Sequence, residues 1–203
     1  MRIHDIKVTT AADPLITTAG AKTHLRVTNS NEDGYIDGLV LAATKWCENY
    51  AQRQFLAASY TARFSRFPAS SAEPVYLPLG QLTSITSIKY SSVGGAVLDT
   101  TWTSSLYQHA TYAEPGYVLP VDGESWPDVE NGQVEGAEII WVCGWPEITD
   151  IPEDILHAVK LAMSFLYENR SVSLNSVSGQ AAQLELPVGC KALLDMYSLR
   201  ELV

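Results

Sequence analysis

Cys47, Cys143 and Cys190 are the only thiols in the chain. A thiol becomes a nucleophile or metal ligand only as the thiolate, which needs a neighbouring cation, histidine or metal. No local histidine signature accompanies any of the three. Each falls instead where a small hydrophobe belongs: Cys47 on the apolar face of a helical stretch, Cys143 at the end of an apolar run, Cys190 on the last apolar stripe. Their spacings of 96 and 47 residues make no disulfide framework, and the odd count reads as reduced thiols. His4, His24, His109 and His157 are too scattered for the close pairs of a zinc site. There is no G-x-S-x-G nucleophile elbow and no G-x-x-x-x-G-K-[ST] phosphate loop. The residues therefore give no catalytic, cofactor-binding or metal-binding set.

Carboxylates are the remaining chemistry, and they are concentrated. Of 203 residues, 23 are acidic and 13 basic, a formal charge of −10, yet no Lys or Arg occurs between Lys89 and Lys160. That span holds twelve acids, among them Asp122, Glu124, Asp128, Glu130 and Glu135. They lack the glycine and the terminal bidentate glutamate of a calcium loop. A glycosidase pair is defined by distance in space, which spacing does not give. The plain reading is a solvated acidic surface; for the concentrated segment as a whole a cation-binding or DNA-repelling surface stays open, because duplex binders neutralise phosphates with Lys and Arg. The aromatics Trp102, Tyr107, Tyr112, Tyr117, Trp126 and Trp145 would suit a sugar-stacking platform, but in a small β unit they more often form core and rim.

The elements that must carry these residues follow from periodicity. At 46% apolar and 18% charged, the chain has the composition of a folded globular unit. Apolar runs such as Leu39 to Ala43 fall far short of the roughly 18 residues of a membrane span, and the first ten residues lack an apolar signal core. Ala19 to Val27 predicts a two-turn helix after Thr17 or Thr18. Ser30 with Asp33 resembles a capping box, starting a helix over about 31–54. In it Ile36, Leu39, Val40, Ala43, Trp46, Cys47 and Tyr50 share one face, opposite Asp37, Thr44, Lys45, Glu48, Asn49 and Gln52.

From about Leu56 the period changes to two. Tyr60, Ala62 and Phe64 alternate with polar residues. "VYL", two runs joined through Gly94-Gly95, one or two strands in "SLYQHATYAEPGYVLP" and the run "AEIIWVC" complete an antiparallel β unit. Helices return over about 152–168 and 188–200, with Met163 and Trp46 expected in a common core. The reading is α+β: a helical part at 1–55, an inserted β unit at 56–146 and a helical part at 147–203 that completes one small bundle. Ser171 to Glu185, Ser-rich and without period, reads as a mobile loop.

The order of landmarks resembles a known family. "WCENYAQRQF", "RFP", "VYLPLGQLTSITSIKY", "PGYV", "GESWP", "AEIIWVCGW", "IPEDILHAVKLAMSFLYENR" and "LPVGCKALLDMY" follow one another as in the head-tail connector (adaptor, or head-completion) proteins of tailed bacteriophages, in the longer version with a β insertion. The resemblance covers about Ile16 to Tyr197. It implies a structural virion protein at the head-tail junction, assembled in the host cytoplasm. Such a protein forms a cyclic ring between the portal and the stopper or tail-completion protein and extends the DNA channel. It implies no enzyme, no cofactor and no membrane partner; DNA passes without tight binding. It also turns the Ser-rich loop into a docking element, with Ser171, Val172, Leu174, Asn175, Val177, Gln180 and Leu184 as its contacts. Two other readings remain: a carbohydrate- or protein-binding β module of a tail or baseplate, marked by exposed coplanar aromatics, and an acid-dependent hydrolase, marked by two carboxylates facing across a cleft.

Overall fold

A computed structural model describes residues 3–170 and 185–199. The chain divides into two compact units. One comprises residues up to Ala12 together with Gln54–Glu147; the other comprises Asp13–Arg53 and the chain from Ile148 on.

The helical unit is built as its periodicity predicts. Helix α1 (Thr18–Leu25) starts at Thr17, whose Oγ1 accepts from Gly20 N at 3.2 Å, and ends at Arg26 in the left-handed region, φ 58°. Helix α2 (Asp33–Ala51) has Glu32 at its N-cap with no side-chain cap hydrogen bond. The expected capping box from Ser30 and Asp33 is therefore not formed; Asp33 pairs with Lys22 at 2.7 Å instead. Helix α3 (Glu153–Glu168) follows Pro152, and Glu153 and Asp154 sit at the positive end of its dipole. Helix α4 (Val188–Leu194) continues into a 3₁₀ turn, Asp195–Tyr197.

The buried faces of α2 and α3 mix larger aliphatic side chains, Ile36, Val40, Ile155 and Met163, with small ones. Ala43, Cys47 and Ala51 on α2 and Ala158, Val159, Ala162 and Met163 on α3 are fully buried, with Cys190 and Leu194 closing the core from α4. Trp46 corrects the sequence expectation: it is half-buried, its ring 6.2 Å from Phe165. Ala43 and Cys47 take the fully buried positions on that part of the α2 face, and the indole of Trp46 lies at its margin. Glu48, expected on the outer face, is buried and receives Lys45 Nζ at 3.2 Å.

The β unit contains two antiparallel sheets. The first has five strands in the order β1 (Ile3–Thr10), β2 (Ala58–Phe64), β8 (Ala137–Cys143), β4 (Leu82–Tyr90), β5 (Thr100–Trp102). The second has three: β3 (Val75–Leu77), β7 (Gly116–Pro120), β6 (Tyr107–Ala110). The apolar run of β8 is explained by its central place, between β2 and β4, with Trp141 in register with both Tyr60 and Ile85. Strand β2 shows strict alternation, every second residue from Ala58 to Phe64 being buried.

Two features depart from the sequence reading. Residues before 56 were expected to be helical, yet β1 pairs along β2. Its described side chains, Ile6 to Thr10, are all exposed, so it carries no buried period to read. Gly94-Gly95 makes no two-residue hairpin; a nine-residue loop, 91–99, joins β4 to β5, turned by Gly95 N donating to Ser92 O and pinned by Asp99, which accepts from Ser92 N at 2.9 Å. The core between the sheets is aromatic. Phe67 stacks on Trp126 at 5.1 Å, and Trp126 lies 5.2 Å from Trp102, which lies 5.3 Å from Tyr107. Gly116 is required where β7 crosses Leu82, because a Cβ there would stand 2.3 Å from Leu82 Cβ.

Candidate functional site: interaction surfaces

The Cys47 and Cys190 thiols and His24 are held in their uncharged forms. All three thiols are buried. Burial pushes the Cys47 thiol up to about 12 and raises Cys190 as well, so neither supplies a thiolate at neutral pH. His24 is held below its ordinary pKa by burial, then by the positive charge of Lys160 and by His157, which favours the neutral ring. Among the described residues no group of three His, Cys, Asp or Glu side chains could hold a metal ion, and no helix is long and apolar enough to cross a membrane.

The acidic segment divides into two kinds of carboxylate. The chain from Val121 to Gly136 is anchored by Trp126, whose Nε1 donates to Glu73 O at 3.2 Å while its ring enters the aromatic core. That anchor leaves the carboxylates of Asp122, Glu124 and Asp128 exposed, with no side-chain hydrogen bond or ion pair among the described residues. Glu130 and Glu135 are tied down. Glu130 accepts from Gly94 N, and its own N–H donates to Ser91 O at 2.9 Å. Glu135 accepts from Arg63 Nη1 at 2.6 Å, and buried Glu138 from Arg63 Nε at 2.8 Å. Those two bonds, Glu135 first, raise the Arg63 pKa further. The five acids are thus three solvated charges and two loop fasteners. Spacing alone did not show this, because the partner arginine comes from β2, more than 70 residues earlier.

The aromatics also separate. Trp102, Tyr107 and Trp126 are core, while Tyr112 is 97% exposed at the β6–β7 connection. Tyr76 and Tyr117, cross-strand partners, meet edge-on at 64° rather than coplanar. The seven residues named for a docking loop, Ser171 to Leu184, lie outside the described residues.

Surfaces missed in the sequence lie on the helices. Val188, Ala192 and Met196, four residues apart, are exposed along α4 and the turn after it, Val188 by 83% and Met196 by 80%. Cys190 and Leu194 are buried on the other side of the same helix, so α4 is apolar on two faces. On α2, Leu41 is exposed beside Gly38 and Ala42. The signal was available: an apolar stripe on both sides of one short helix exceeds what a single core uses.

These two units occur together in solved particles. A chain in the neck of an empty gene transfer agent particle, computed with C6 symmetry, superimposes with a TM-score of 0.74 at 17% identity, over 96% of this chain and 95% of that one. The fold is that of a gene transfer agent neck chain. A chain of the native gene transfer agent virion gives 0.72 at 19% identity, over 95% and 94%. A chain of the native neck computed with C12 symmetry gives 0.63 at 15%, over 98% and 95%. No protein-family model matches the chain, and no curated protein matches it either. The likeness spans both units and agrees with the connector resemblance of the landmark order.

Proposed function

We propose that this chain is a structural neck protein of a phage-like particle. In this reading it is one subunit of a cyclic ring between the portal and the stopper or tail-completion protein, and the ring extends the channel through which DNA passes. The observation that carries the reading is the shared fold over nearly the whole of both chains, β unit included, with a chain from a neck computed with C6 symmetry. Three further features support it. A ring joins two different faces of each subunit, and exposed apolar side chains occur on α2, on α4 and at the β6–β7 connection. The solvated carboxylates Asp122, Glu124 and Asp128 give a surface over which like-charge repulsion keeps DNA from sticking. The three thiols are buried, and Trp102, Tyr107 and Trp126 are core side chains, which suits a structural role.

The test is to mix the purified chain with the portal of its own particle and image the product. The expected result is a ring of this protein seated on the portal, with a central hole wide enough for duplex DNA. Monomers that never associate with the portal would reject the reading. The docking element belongs to the same proposal: replacing Ser171 to Glu185 by a few Gly and Ser should leave folding intact and weaken attachment.

A further inference from the structure

Helix α2 begins without the cap that its sequence offers. Glu32 occupies the N-cap, where a carboxylate favours the helix dipole and accepts from the first free N–H groups. Instead its carboxylate is turned to the end of α3. Oε1 accepts from Arg170 Nη1 at 2.7 Å, and Oε2 accepts from Tyr167 Oη at 2.7 Å. The Arg170 guanidinium in turn lies over two rings, 4.8 Å from the Tyr35 centroid and 4.5 Å from that of Tyr167. The two rings approach each other at 6.3 Å. One cation is therefore held by a carboxylate and two aromatic faces, contributed by the start of α2 and the end of α3. Helix α3 is already closed locally, because Asn169 N and Asn169 Nδ2 both bond Phe165 O. Arg170 adds a longer bond, Nε to Tyr167 O at 3.4 Å, so the same guanidinium touches the last turn of α3 and reaches across to α2.

We propose that Glu32, Tyr35, Tyr167 and Arg170 form a releasable latch between the first turn of α2 and the last turn of α3. The members are only partly covered: the Arg170 and Glu32 side chains keep 47% and 31% of their accessible surface. Water and salt can compete for them, so the latch opens while the fully buried faces of α2 and α3 stay packed. A local rule broken at Glu32, with a specific compensating partner, is what distinguishes the device from an incidental surface pair. It does not depend on the neck reading.

Hydrogen exchange on the full chain tests it, comparing wild type with Arg170→Ala, Arg170→Lys and Glu32→Gln. Arg170→Ala should speed exchange about tenfold or more at the amide that closes the first turn of α2, Ile36 N on Glu32 O at 2.9 Å, and at those of the last turn of α3, leaving the middle of both helices protected. Arg170→Lys, which keeps the charge but not the flat stacking surface, should fall between it and wild type, and Glu32→Gln should approach the alanine variant. Unchanged exchange in Arg170→Ala would overturn the proposal, because nothing would then be latched. Loss of protection throughout α2 and α3 would overturn it too, by making the cluster part of the helical core.

Discussion

The two units bury apolar surface in opposite ways. In the helical unit the buried faces of α2 and α3 are aliphatic, Ile36, Val40, Ile155 and Met163 beside Ala43, Ala51, Ala158 and Ala162, and the nearby indole of Trp46 is only half-buried. In the β unit the space between sheets is filled by Phe67, Trp102, Tyr107 and Trp126, and Trp141 stacks on Tyr60 at 5.8 Å. Aliphatic packing stabilises the first, and large interlocking rings the second. Truncation should therefore hurt the β unit most, and enlargement the helical seam.

The largest expected effect is Trp141→Ala, which empties a fully buried site and should cost about 3–5 kcal/mol in denaturant unfolding. Trp46→Ala, at a half-buried ring, should cost about 1–2 kcal/mol. Equal losses would erase the contrast between the units. Next come the additions. Ala162→Leu at the seam and Gly116→Ala at the Leu82 crossing should each cost about 1–3 kcal/mol by overpacking, read as a lower midpoint at unchanged slope. A stabilised Ala162→Leu would show that the seam holds unfilled space.

Smaller is the pH effect at Glu32. Bonds from Arg170, then from Tyr167, hold its carboxyl below the ordinary value. A depressed folded pKa stabilises the fold above the unfolded value of roughly 4.3 and loses that contribution as pH falls through the folded value. Acid titration should thus weaken wild type more than Glu32→Gln; parallel curves would remove Glu32 from the account. Smallest is neutralisation of Asp122, Glu124 and Asp128 to their amides, which should shift stability within about 0.5 kcal/mol. Retention of the chain on DNA should nevertheless rise. A large loss of stability would show that these carboxylates are fasteners like Glu135.

What could be read in the sequence follows the same division. A 3.6-residue period needs only one buried face, so α2, α3 and α4 were legible to within a few residues. Trp46 was misjudged because period assigns a side and says nothing of how deeply each position on that side is buried. In the β unit the alternation of β2 and the apolar run of β8 were plain, but β1 was not, because both faces of its described residues are open to solvent. The acidic segment was visible as composition. Its sorting into solvated and bonded carboxylates required Arg63, which only the β2–β8 register brings beside Glu138. The latch was hidden for a similar reason: Glu32 and Arg170 are 138 residues apart and meet only when α2 and α3 pack.

The most direct measurement of the central claim is a density map of the intact particle at the head-tail junction. The account predicts a closed ring of this fold between portal and tail, with the helical and β units of every copy resolved around a central channel. The same chain found only at the tail tip or baseplate, or missing from a particle that still joins head to tail, would contradict it.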